Sequence, residues 1–129
     1  MLINSLAGSG GDYFPFWFRE TGLGKLIGTR TWGGLVGYSG TPPLIDGTRI
    51  TAPDFGFYEK DGTWGIEGHG VEPDIEVLDD PADMVDGNDP QLDAAIAHML
   101  EELESNPYKP PTPPAFPDRS GMGLAPEDY

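Results

Sequence analysis

Cysteine is absent from this chain of 129 residues. Disulfides, thiolate nucleophiles and cysteine-ligated zinc are therefore excluded. The absence suits a reducing compartment, and the cytoplasm is the expected location. Positive charge is scarce as well: 7 Lys and Arg stand against 22 Asp and Glu, for a net charge of −15. Such a field repels nucleic-acid phosphate and anionic lipid, so neither nucleic acid nor a membrane is an expected partner. No apolar run approaches the roughly 20 residues that span a bilayer. The N-terminus also lacks the basic-then-apolar pattern of a signal peptide.

The acidic residues are concentrated. No Lys or Arg lies between Lys60 and Lys109, whereas Glu72 to Glu104 is densely acidic. The simplest reading is a solvated, solubilising surface. Asp79, Asp80, Asp83, Asp86 and Asp89 do not fall at the ligand positions of a calcium-binding loop. No metal or cofactor is expected.

Two helices are predicted. The first runs from about Asp12 to Thr21, with Pro15 in its opening turn and Gly22 as the stop. Tyr13, Phe14, Phe16, Trp17 and Phe18 surround so much of it that burial on more than one side is expected. The second is capped by Asn88 or Asp89, starts at Pro90 and ends near Asn106, before Pro107. Leu92, Ile96, Met99, Leu100 and Leu103 recur along it at helical spacing. Extended segments are expected at Leu2–Ser5, Leu26–Thr29, Leu35–Tyr38, Thr48–Ala52 and Val71–Val77. Phe55–Tyr58 and Thr63–Ile66 flank a polar Asp61-Gly62 turn and read as a hairpin. The fold class is α/β. Residues 1–105 form the folded unit, and 106–129 form a proline-rich extended or disordered tail.

The chemistry concentrates at Ala7-Gly8-Ser9-Gly10-Gly11-Asp12, where a strand ends in a glycine-rich turn and a helix begins. A serine hydroxyl attacks a carbonyl only if its proton is removed and the developing oxyanion is stabilised. Glycines leave room for a substrate backbone, and a helix N-terminus favours negative charge. This is the logic of a nucleophile elbow, although Ala7 stands where the first glycine of that motif belongs. By residues alone, a packed structural glycine turn is favoured over a catalytic one, and a phosphate-binding turn stays open.

Longer blocks narrow the choice. Asn4 to Asp12, Leu23 to Gly34, Pro43 to Gly47, Glu67 to Val77 and Asp89 to Asp93 together resemble, in order and spacing, the late catalytic domain of tricorn-type serine proteases. The broader relatives are the C-terminal-processing peptidases, whose fold is a crotonase/ClpP-like α/β spiral. The resemblance covers about Leu2 to Leu103. It implies Ser9 as nucleophile and the Gly10 N–H as an oxyanion donor, although the family has aspartate at that place. Glu67 corresponds to the tetrad glutamate, which holds a second serine that orients the base histidine.

That serine–histidine pair lies far upstream in the family, and few residues precede Ser9 here. The chain is accordingly expected to be a portion of the peptidase, inactive alone. Its expected partners are peptide substrates, the N-terminal remainder of the protease and further copies of itself. Neither histidine is expected to replace the base: His98 reads as a surface residue and His69 as a loop residue. The alternative reading is a non-catalytic assembly or peptide-binding module with a relict serine. A crotonase-type acyl-binding protein lacks support, since no motif for a CoA nucleotide is present.

Overall fold

The computed structural model describes residues 1–117. Five elements follow one another: β1 (Leu2–Ile3), α1 (Gly10–Glu20), β2 (Ile27–Gly28), β3 (Ile75–Glu76) and α2 (Pro90–Ser105). The strands form one parallel sheet in the order β1-β2-β3, with Leu2 opposite Ile27 and Ile27 opposite Ile75. Parallel neighbours need a crossover connection, and α1 lies within the first of these. α2 returns to pack on β1 and β2.

Local signals account for the helix ends. α2 starts where Asp89 accepts the Leu92 N–H at 2.9 Å and Pro90 fills the first position. It ends at Ser105, with Asn106 as the cap before Pro107. α1 ends in a Schellman closure: the Gly22 N–H reaches the Arg19 carbonyl and the Leu23 N–H the Phe18 carbonyl. Gly22 has φ 69°, a conformation that a side chain would oppose.

Other expectations are corrected. α1 begins two residues earlier than predicted, so Pro15 sits inside the helix rather than in its first turn, and it is buried there. The carbonyl it deprives of a donor belongs to Gly11. The segment Leu35–Tyr38 contributes a single bridge, Gly37 to Phe55. The Phe55–Ile66 region keeps its turn, with the Glu59 N–H bonded to the Thr63 carbonyl at 2.7 Å, but forms no ladder. Thr48–Ala52 is irregular, and only Ile75–Glu76 of Val71–Val77 is a strand. Two loops are instead tied by aspartates. The Thr48 hydroxyl, then its N–H, holds the Asp46 carboxyl below the usual range, and the Thr63 N–H, then its hydroxyl, does so for Asp61.

The core is small. Ile3, Leu26, Leu35, Ile66 and Val71 form it, with Met1, Tyr13, Phe16 and Phe18 packed against it. The aromatic residues of α1 are not covered on more than one side as predicted: Tyr13, Phe16 and Phe18 pack on the core, with Tyr13 5.1 Å from Phe57 between ring centres, whereas Phe14 is 65% exposed and Trp17 is exposed as well. The apolar stripe of α2 points outward. Leu92, Ile96, Met99, Leu100 and Leu103 are all 45–57% exposed, and it is Gln91 that enters the interior, reaching the Val77 carbonyl at 3.1 Å. Residues 106–117 are exposed and irregular; 118–129, the rest of the predicted tail, lie outside the described residues.

Candidate active site

Ser9 stands at the N-cap of α1, a position where serine ordinarily turns its hydroxyl back onto the helix. Here it does not. The backbone takes φ 54° and ψ −111°, and the side chain makes no cap hydrogen bond. Among the described residues this is the one non-glycine residue with positive φ. The residue is exposed. Its own carbonyl accepts the Asp12 and Tyr13 N–H groups at 3.0 Å each, so the helix is started by the main chain and the hydroxyl stays unused. The adjacent Gly10 N–H has no acceptor among the described residues, as expected for a first-turn amide. A Cβ at Gly10 would meet nothing within 4 Å.

The turn is held from one side by residues 32–34. The Ser9 N–H donates to the Gly34 carbonyl at 2.9 Å, and the Trp32 N–H to the Ala7 carbonyl at 2.8 Å. The Trp32 indole lies over Gly8 and Gly34, close enough that a Cβ on Gly8 would sit 2.5 Å from it. That contact explains Gly8 better than substrate access alone. Trp32 is 68% exposed, so its indole covers Gly8 and Gly34 from the solvent side.

Glu67 attaches to the same segment. Its Oε2 accepts the Leu35 N–H at 2.7 Å and the Val36 N–H at 2.8 Å. Oε1 has no partner among the described residues, and the side chain is half-buried. The following turn is fixed by the Gly68 N–H, which donates to the Gly33 carbonyl at 2.7 Å. Ser9 and Glu67 therefore hang on consecutive residues of one stretch of backbone, Ser9 through Gly34 and Glu67 through Leu35 and Val36.

The histidines are engaged elsewhere. His69 Nε2 lies 3.4 Å from Glu72 Oε1, a carboxylate that also faces Arg30 at 3.6 Å. Arg30 further donates to the His69 carbonyl. His98 is half-buried rather than on the surface; it lines a cavity of about 590 Å³ with Phe18, Arg19, Leu23 and Asp74, between α2 and the loop after α1. Among the described residues nothing hydrogen-bonds the Ser9 hydroxyl, and no group of His, Cys, Asp and Glu is arranged to hold a metal. No helix is long and apolar enough to cross a membrane.

The model of peptidase family S41 matches residues 1–77. The chain belongs to peptidase family S41. It is 51% identical over 104 residues to the tricorn protease of Thermoplasma acidophilum, covering 81% of this chain and 10% of that protein. It is 46% identical over 116 residues to tricorn protease homolog 1 of Streptomyces coelicolor, covering 90% of this chain and 11% of the relative. The solved crystal structure of the tricorn protease superposes with a TM-score of 0.75 at 51% identity, over 80% of this chain and 10% of that one. The chain thus spans about a tenth of the length of these relatives.

Proposed function

We propose that this chain carries the nucleophile, one oxyanion donor and the orienting glutamate of a cytoplasmic serine peptidase, and that the general base comes from residues outside it. The observation that carries this reading is Ser9 itself: a serine at a helix N-cap that leaves its hydroxyl free, in a backbone conformation serine ordinarily avoids. The fold would then be part of a crotonase/ClpP-like spiral completed by the rest of the polypeptide.

The chemistry of this proposal is acyl transfer to serine. Ser9 Oγ attacks the carbonyl carbon of a peptide substrate while its proton passes to a histidine supplied from outside the chain. The carbonyl oxygen becomes an oxyanion beside the Gly10 N–H, at the positive end of α1. The tetrahedral intermediate collapses, the C–N bond breaks, and the departing amine takes the proton back from the imidazolium. Water then hydrolyses the acyl-enzyme by the same route in reverse, with its proton again handled by the histidine. The free Oε1 of Glu67 is the acceptor that would hold the serine hydroxyl steadying that histidine.

The exposed stripe of α2 fits the same picture, since an apolar face of this extent marks a contact surface. We assign it to the remainder of the protease or to a second copy of the chain.

The test is labelling with a fluorophosphonate. Ser9 is expected to be modified in the complete polypeptide and left unmodified in this chain by itself. Failure to label Ser9 in the complete polypeptide would favour the non-catalytic assembly module instead. In that complete enzyme, Glu67→Gln keeps one acceptor for the Leu35 and Val36 amides but loses the second carboxylate oxygen. Turnover of a peptide substrate is expected to fall about 10²-fold, the scale of a misplaced catalytic group, and steady-state kinetics would show it.

A further inference from the structure

Asp12 is 0% exposed, a fully buried acidic side chain in a small core. Burial of such a group is costly unless its oxygens find donors. Here both do: Oδ1 accepts the Gly33 N–H at 2.7 Å and Oδ2 the Gly34 N–H at 3.1 Å. The two amides it grips belong to the residues whose carbonyls hold the site. The Gly34 carbonyl receives the Ser9 N–H, and the Gly33 carbonyl receives the Gly68 N–H, next to Glu67. Asp12 also sits on the opening turn of α1, where the Ser9 carbonyl receives its N–H. One carboxylate thus ties the helix capped by Ser9 to the extended stretch 33–36 from which Glu67 hangs.

We infer that Asp12 is a positioning residue for the reaction, setting the register between Ser9 and Glu67 without touching substrate. This rests on the reading of Ser9 as nucleophile and Glu67 as its orienting carboxylate. The carboxylate is needed specifically, because two backbone donors converge on it. An asparagine of the same size offers one acceptor and turns a donor toward the other N–H, so that one bond is replaced by a repulsive contact. The Gly33-Gly34 turn must then shift, and Ser9 and Glu67 shift with it by different routes.

The experiment compares Asp12→Asn with Gln91→Ala in the complete polypeptide. Gln91 is another buried polar residue, 5% exposed, which fastens α2 to Val77 and makes no bond to residues 33–36. Both variants lose stability. Rates are normalised to the amount of Ser9 titrated by fluorophosphonate. Asp12→Asn is expected to lower kcat about 10²-fold with KM within about threefold of wild type, whereas Gln91→Ala keeps its kcat per titrated serine. Equal kcat for Asp12→Asn and wild type, or equal losses in both variants, overturns the inference while leaving the nucleophile assignment standing. A wild-type enzyme that does not label at Ser9 overturns both. If Asp12→Asn does not accumulate as folded protein, Asp12→Ser, whose single oxygen can accept one of the two amides, is read by the same criteria.

Discussion

Ser9→Gly is expected to silence the complete peptidase and at the same time to stabilise the chain. The two effects have separate origins. With Ser9 as the proposed nucleophile, losing the hydroxyl removes the atom that forms the acyl-enzyme, and turnover should drop by about 10⁶-fold, the scale seen when a serine nucleophile is deleted. The stability change comes from the main chain. At φ 54° and ψ −111°, a residue with a Cβ is held outside the favoured regions, at a cost of about 1–3 kcal/mol. Glycine adopts that conformation freely, offset by about 0.5–1 kcal/mol of extra freedom in the unfolded chain. A net gain of about 1 kcal/mol is expected in urea unfolding. Ser9→Ala separates the terms, since it loses turnover but keeps the Cβ and so gains no stability. Retained turnover in Ser9→Gly would place the nucleophile elsewhere, and a glycine variant no more stable than the alanine one would remove the strain account.

Gly33→Ala should have the opposite balance, a loss of fold rather than of one atom. Gly33 has φ 86°, and a Cβ built there would lie 2.7 Å from the His69 carbonyl carbon and in closer conflict with the Gly70 N. Both are backbone atoms, so no side chain can rotate away. Gly70, at φ 87°, faces Thr31 in the same manner, so the conflict cannot be passed along. A loss of about 3 kcal/mol or more is expected from the strained φ and the clash together, read from the urea midpoint. Gly10→Ala is the control for stability: its Cβ would meet nothing within 4 Å, and the midpoint should not fall. An unaltered midpoint for Gly33→Ala would mean that the turn bearing Glu67 is free to move off residues 33–36, which would also weaken the case for Asp12.

How much of this was legible in the sequence depended on the reach of each signal. The bounds of α2 could be read because Asp89, Pro90 and Pro107 act within a turn of where they stand. Gly22 stopped α1 for the same reason. The strand-to-helix junction at Ser9 was visible from its glycines, and the proposed pairing of Ser9 with Glu67 rests on the family resemblance. Asp12 carries no local signal of its contacts, since its partners are Gly33 and Gly34, 21 and 22 residues away. The direction of α2 was also beyond periodicity. Its stripe was found, but spacing alone does not say whether a face meets the sheet or leaves it outward. The hairpin failed because the alternation of Phe55, Phe57, Trp64 and Ile66 is equally served by an aromatic cluster, in which Phe55 and Phe57 meet edge to face at 5.8 Å.

The outward stripe of α2 has a thermodynamic corollary. Any species that covers those side chains binds the folded chain and not the unfolded one, so its concentration enters the unfolding equilibrium directly. The melting temperature of this polypeptide is therefore expected to climb as its own concentration, or that of the covering species, is raised. A dilution series in scanning calorimetry would display that climb as a slope where a self-sufficient domain gives a flat line.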